Sequence, residues 1–314
     1  PNGNAAVFNG ILYVVDTVNH RILGFDEIPA ANNAIADFVL GQSSSTAAGT
    51  DVLNGPQSVS VTTGNFIVAT TGTGASQVLI WNSVPTSVSD PLAPPDVTIG
   101  AGPAGCTYPA LYSPVDAIAA GGRLLVVDAG NNRVLVWDQI PDGSTPVPEP
   151  WALGQKDLAS CGVNADGDAT AAVGFSLPLA IWSDGTRLAV GDAHNNRVLI
   201  WNTFPSAADQ APDLVLGSDS VAGTSLGAGG MHFSGDYFFV SDSISNRVLI
   251  WKGFPTVDDQ PADFVLGQGD LAHTTVNDDN QNNLEDEGHP TARTLGDPRG
   301  VYQYGKQLFV TDND

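Results

Sequence analysis

The chain has 314 residues, 42% of them hydrophobic and 14% charged, with 35 Gly and 21 Pro, a composition that supports an ample core and many turns and excludes intrinsic disorder. Its 30 Asp against 4 Glu, and 8 Arg against 3 Lys, are poor material for long amphipathic helices, whose exposed faces favour Glu and Lys, so an all-β protein is expected. The net charge of −23 would repel phosphate backbones and anionic headgroups, which excludes nucleic-acid binding and polybasic attachment to a membrane.

At the N-terminus, Pro1 does not open a charged region followed by an apolar one, and no apolar run approaches the roughly 20 residues that span a bilayer. The chain reads as soluble and already processed. Low Lys, high Asp and abundant Ser and Thr fit an extracellular or periplasmic protein, or a salt-adapted one. Further along, a segment recurs: ILYVVDTVNHRILGF ends at Phe25, FIVATTGTGASQVLIW at Trp81, LLVVDAGNNRVLVW at Trp137, LAVGDAHNNRVLIW at Trp201 and FFVSDSISNRVLIW at Trp251. A sixth copy opens with LFVTD and stops at Asp314. The aromatic ends are 56, 56, 64 and 50 residues apart. Each is followed by a Pro-containing stretch and a second apolar run, DFVLGQ, DVTIGA, WALGQ, LVLGS and DFVLGQ in turn, and each unit is preceded by a short run led by Pro1, Pro56, Pro114, Pro178, Ala228 or Pro298. Four short apolar runs per unit, separated by Gly, Asn, Asp and Pro, predict a four-stranded antiparallel sheet. Stacked around an axis, such sheets cover one another.

The pattern D-x-x-N-x-R-V-L-x-W resembles the NHL-repeat β-propeller family, most closely the bacterial kind in which RVLxW is followed by an (I/F)P loop and a VLGQ strand. The resemblance covers essentially the whole chain and implies a six-bladed propeller in one domain, with blades at approximately 1–54, 55–112, 113–176, 177–227, 228–296 and a partial 297–314. It also implies that the Pro-led run is the innermost strand. The sixth blade lacks its two outer strands, so either residues beyond Asp314 or a partner strand is expected to complete it.

Asp16, Asp128, Asp192 and Asp242 end the second strand of their blades, and Arg21, Arg133, Arg197 and Arg247 follow five residues later. Asp and Asn suit tight turns and Arg braces a neighbouring loop, so a structural role is expected. Blade two departs from the pattern, with Thr70 for Asp, Gln77 for Arg and a loop lengthened within TTGTGAS. The repeated aromatics Phe25, Trp81, Trp137, Trp201 and Trp251 read as inter-blade packing.

Propeller chemistry is expected at the mouth of the central channel, where Gly3, Ser58, Asp116, Ala180, Gly230 and Gly300 would converge. One carboxylate and one hydroxyl do not make the ligand sets of metal-dependent lactonases or of three-histidine amidating lyases. No Walker loop of the Gly-x-x-x-x-Gly-Lys-Ser/Thr kind and no His-Glu-x-x-His is present. Of the five histidines, His20 and His194 fall in loops of blades expected to be opposite one another. His232 lies on an innermost strand and is either a channel residue or a hydrogen-bonded structural one. His273 and His289 flank the longest insertion, in which Asp278, Asp279, Glu285, Asp286 and Glu287 form either a Ca²⁺ site of hard oxygen donors or a solvated acidic loop. The run Asn164 to Asp168 is a weaker version. Cys106 and Cys161 lie outside any CxxC or CxxCH motif, which excludes haem attachment. Falling in successive connectors on one face, they are either disulfide-bonded or two separate thiols. No Asn-x-Ser/Thr sequon occurs.

These features fit a non-catalytic exported propeller that binds a protein or surface glycan, or serves as an assembly subunit. One alternative is a metal-dependent lactonase, esterase or lyase using Asp116 and His232 at the channel mouth. Another is a subunit of a larger extracellular complex that docks a basic partner through its acidic surface.

Overall fold

The computed structural model describes residues 5–31, 33–42, 53–70, 76–86, 93–100, 103–144, 146–167, 173–217, 226–278, 280, 282, 291 and 293–313. The chain divides into two compact units, Pro1–Gly174 with Ala207–Asp209, and Phe175–Ser206 with Gln210–Asp314.

The first unit holds three antiparallel sheets, each formed by four strands in chain order. Blade one comprises β1 (Ala5–Phe8), β2 (Ile11–Asp16), β3 (Arg21–Phe25) and β4 (Phe38–Leu40); blade two comprises β5 (Pro56–Val61), β6 (Phe66–Thr70), β7 (Gln77–Trp81) and β8 (Val97–Ile99); blade three comprises β9 (Pro114–Ala120), β10 (Arg123–Asp128), β11 (Arg133–Trp137) and β12 (Trp151–Leu153). The second unit holds blade four, β13 (Pro178–Ser183), β14 (Leu188–Asp192), β15 (Arg197–Trp201) and β16 (Leu214–Leu216), and blade five, β17 (Ala228–Ser234), β18 (Tyr237–Asp242), β19 (Arg247–Lys252) and β20 (Phe264–Leu266). A two-stranded sheet of β21 (Pro298–Tyr304) and β22 (Gln307–Asp312) follows. Five complete blades and a partial sixth sheet match the sequence expectation for these residues; a full sixth blade is not present among them.

Period-2 alternation puts each strand's apolar residues on both faces, and within each unit faces are buried between consecutive blades. Ile22, Phe38 and Leu40 of blade one share a core with Phe66, Leu79 and Trp81 of blade two. Val97 and Ile99 of blade two share one with Leu135 and Trp137 of blade three, and Leu216 of blade four shares one with Leu249 and Trp251 of blade five. The cores are closely fitted: a Cβ on Gly24 would lie 2.1 Å from the buried Phe38 ring, which any side chain there would have to displace. Each repeated Trp also donates its indole N–H to a carbonyl in its own third-to-fourth-strand connector: Trp81 to Ala93, Trp137 to Pro148, Trp201 to Gln210 and Trp251 to Gln260, at 2.6–2.9 Å. Tyr13 bridges blades, its hydroxyl donating to Pro85 at 2.7 Å, and burial with the nearby Asp26 charge pushes that phenol up to about 12.

Cys106 and Cys161 form a disulfide with Cα atoms 5.6 Å apart, which decides between the bonded and separate-thiol expectations. It links the connectors that precede and follow blade three, 55 residues apart in sequence. Replacing both cysteines by Ser is expected to cost about 2–4 kcal/mol, read as a lower urea midpoint at unchanged slope; an unchanged midpoint would mean that the link constrains nothing.

Candidate functional site

The most densely hydrogen-bonded sites are the turns between second and third strands. In blade three, Asp128 pairs with Arg133 at 2.9 Å with both side chains fully buried. The Asp128 carboxylate also accepts the Tyr112 amide at 2.7 Å and the Asn131 side-chain amide at 2.8 Å, and Arg133 donates onward to the carbonyls of Leu158 and Ala110. Burial pushes the Asp128 carboxyl up, opposed by the Arg133 charge and these donors. The residue before each Arg is left-handed, with φ of 55° at His20, 51° at Asn132, 54° at Asn196 and 51° at Asn246, a conformation Asn and His adopt more readily than β-branched residues.

The pairs recur as Asp16–Arg21, Asp192–Arg197 and Asp242–Arg247 at 2.6, 2.8 and 2.9 Å. Asp192 and Asp242 accept the Ser176 and Gly227 amides, tying each turn to the connector that enters its own blade. Blade two has no such pair: Thr70 donates to the Gln77 carbonyl at 3.4 Å, and the loop residues 71–75 lie outside those described. These carboxylates and guanidinium groups are engaged in the scaffold, as the repeat itself implied.

The sequence reading missed the glutamine of VLGQ. Gln42 donates to the Asn19 and His20 carbonyls, Gln155 to Asn132 and Gly162, and Gln268 to Asn246 and Thr275, so each clamps the adjacent turn from the end of the outermost strand. Its recurrence was the available signal. A second Asp position was missed as well: Asp37, Asp96, Asp213 and Asp263 accept the amide that follows the repeated aromatic, at 2.7–2.9 Å.

The expected channel-mouth positions do different work from one another. Ser58 is buried, and its hydroxyl accepts the Ala117 amide at 3.1 Å, stitching blade two to blade three. Asp116 is half-buried on β9 opposite Val127. Ala180 is buried in the core shared by blades four and five, and Gly300 is buried as well. Gly230 lies so close to β21 that a Cβ would meet the Arg299 carbonyl at 2.3 Å. Gly3 lies outside the described residues. A bulge between the first residue of the strand and the one two positions on recurs in β5, β13, β17 and β21, so Ser58, Ala180, Gly230 and Gly300 enter the ladder opposite the second strand.

His232 stacks on Tyr302 of β21 with ring centroids 4.5 Å apart. Burial drives its pKa down to about 4, a hydrogen bond with the Gln303 backbone opposing, so the imidazole is neutral at pH 7. His20 accepts the Gly55 amide at 2.8 Å, and His273 meets the Asp270 carboxylate at 2.8 Å, holding that carboxyl below its usual range. His194 is exposed. Of the acidic insertion, Asp278 is fully buried and accepts the Asn282 amide at 3.1 Å, while Asp279, Glu285, Asp286, Glu287 and His289 lie outside the described residues, as does Asp168. Among the described residues, no group of three or more His, Cys, Asp or Glu side chains is placed to hold a metal ion, and no helix is long and apolar enough to cross a membrane.

The arrangement is shared with solved structures. A luciferin-regenerating enzyme aligns over 99% of this chain and 82% of its own with a TM-score of 0.51 at 13% identity. The PQQ-bound aldose sugar dehydrogenase of Streptomyces coelicolor aligns over 98% and 87% with a TM-score of 0.56 at 12% identity. A chain of a nidogen/laminin complex aligns over 96% and 84% with a TM-score of 0.52 at 15% identity. The fold is a β-propeller. At these identities the likeness concerns the fold alone, and propellers of this group include enzymes and a protein-binding module. No family model and no curated protein sequence matches the chain.

Replacing Asp128 by Ala strands the buried Arg133 charge and is expected to cost about 3–5 kcal/mol, whereas a paired Asp128→Leu, Arg133→Met variant is expected to lose less; urea unfolding of both checks the order. Because the native His232 resists protonation between 6.5 and about 4, the unfolded chain binds the extra proton in that window and stability falls as pH drops through it. His232→Gln is expected to remove that component, so unfolding free energies of the two proteins should diverge below pH 6.5 and run parallel above it.

Proposed function

We propose that the protein is an exported propeller of the NHL-repeat type that serves as a binding or assembly module for another protein, in an extracellular or periplasmic setting. The observation that carries this reading is the exposure of two apolar side chains on the outermost strand of blade five. Phe264 and Leu266 of β20 are 46% and 42% exposed, whereas Phe38 and Leu40 at the same register in blade one are 2% and 0% exposed, and Val97 and Ile99 in blade two are 4% and 3%. Grouped exposed apolar side chains mark interaction surfaces. The repeated polar positions, by contrast, are engaged in holding turns. Export is supported by the disulfide, which oxidising compartments favour, and by the Lys-poor, Asp-rich composition.

A catalytic reading draws on His232, a half-buried imidazole that stays neutral above about 4 and so has the protonation state of a base or metal ligand. Incubating the purified protein with lactones, esters and amidated substrates, with and without added Ca²⁺, Mn²⁺ or Zn²⁺, separates the two readings. The binding reading expects no turnover above buffer. Turnover that disappears in both His232→Ala and Asp116→Ala would overturn it in favour of a hydrolase or lyase.

A further inference from the structure

At the junction of blades four and five a cation is held against three aromatic rings. Arg187, in the hairpin that joins β13 to β14, places its guanidinium carbon 4.4 Å from the centre of the Phe254 ring, 4.8 Å from that of Phe233 and 5.4 Å from that of Trp182. The rings also pack on one another, with centroids 5.5 Å apart for Trp182 and Phe233, 5.2 Å for Trp182 and Phe254, and 5.5 Å for Phe233 and Phe254. Asp184 lies beside them, its carboxylate 2.8 Å from Arg187 Nη2 and 2.9 Å from Nε. That carboxylate also accepts the amides of Thr186 and Arg187, which fixes it on the hairpin. All of these residues belong to the second unit.

Packing alone does not call for this set. Phe233 stands opposite Phe238, which stands opposite Trp251, and the residues at the same register are Val61 in blade two and Ala119 in blade three. Phe254 follows the repeated aromatic at the spacing where blades two and three carry Val84 and Ile140. Trp182 and Arg187 occupy the register of Ala6 and Ile11 in blade one and of Ser60 and Asn65 in blade two. Blades one and two thus join through Ala6, Ile11, Val61 and Val84, an aliphatic set in one shared core. The rings and the charge are an addition of blades four and five.

Ring faces attract cations, and several faces around one site select quaternary ammonium groups. Such a group has no N–H to hydrate, so it gives up less to water on entering than a guanidinium does. We propose that Trp182, Phe233 and Phe254 form a cage for the trimethylammonium group of a ligand, and that Arg187 is the internal competitor which this ligand displaces. Arg187 is 27% exposed and precedes β14, so its side chain can move into water without breaking the ladder. Asp184 stays beside the rings to meet the incoming charge, and the net charge of −23 draws cations toward the chain. The inference goes beyond the binding-module reading, since none of these residues lies on the exposed outermost strand of blade five.

The test titrates choline chloride into the protein against sodium chloride at equal ionic strength, with binding read by saturation-transfer NMR of the ligand. Saturable binding is expected, and the uncharged tert-butyl analogue of choline should not bind. Arg187→Ala should tighten choline by about twofold to thirtyfold, the worth of the cation–π contact that no longer competes. Phe254→Ile, which copies the residue at Ile140, should abolish binding in a protein whose circular dichroism is unchanged. Guanidinium chloride at millimolar, non-denaturing concentration should displace choline from the parent protein, a readout that needs no variant. A short peptide with one trimethyl-lysine is titrated in parallel, and the tighter of the two identifies the source of the group. No binding to the parent protein, binding seen only after Arg187→Ala, equal binding of the uncharged analogue, no displacement by guanidinium, or binding that survives Phe254→Ile overturns the proposal. Turnover in the substrate panel bears on the binding-module reading and leaves these titrations unaffected, so the two fail separately.

Discussion

A four-stranded sheet built from short apolar runs has two faces to bury and no interior of its own. It becomes stable only when another such sheet lies against it. That constraint explains why β7, β11 and β19 carry the same alternation: Leu79, Leu135 and Leu249, with the Trp two residues on, pack against the preceding blade. Val248 and Ile250, at the intervening positions, pack toward the sheet that follows. It bears equally on the outermost strand of blade five, where Phe264 and Leu266 are exposed while their counterparts Phe38 and Leu40 in blade one are buried.

The acid excess has a second physical origin. A carboxylate accepts several hydrogen bonds from a small volume, and two Asp positions of the repeat serve the backbone. One closes the turn between second and third strands, as Asp128 does with Tyr112 and Asn131. The other holds the amide that follows the repeated aromatic, as Asp263 does with Lys252. A short side chain is required because the turns are tight, which is why Asp and not Glu dominates. Much of the negative charge is therefore scaffold, and one buried Arg per turn balances part of it in blades three and five.

The fold was legible because its signal is repeated. Strand order, the Asp to Arg spacing of five and the aromatic strand ends each occur in several copies, so each confirms the reading of the others. The disulfide was half legible: two cysteines after successive outermost strands suggested neighbouring connectors, but only the 5.6 Å Cα separation decides it. The candidate site was the least legible. Counting from Pro picks out Ser58 and Ala180, but their place in the ladder is set by a bulge behind the first residue of the strand, and a bulge leaves no mark in a single sequence. The stacking of His232 on Tyr302 joins residues 70 positions apart with no shared motif. Leu266 reads identically to Leu40 in sequence, and only the neighbouring sheet distinguishes them.

That difference gives the most direct measurement. Leu40→Asp and Leu266→Asp introduce the same charge at the same register position, one fully buried and one 42% exposed. If burial against the next blade is what stabilises each sheet, Leu40→Asp will lose at least about 4 kcal/mol in urea unfolding or fail to fold, whereas Leu266→Asp will stay within about 0.5 kcal/mol of the parent protein. Equal losses would contradict the account, because they would mean that the outer face of blade five is already covered.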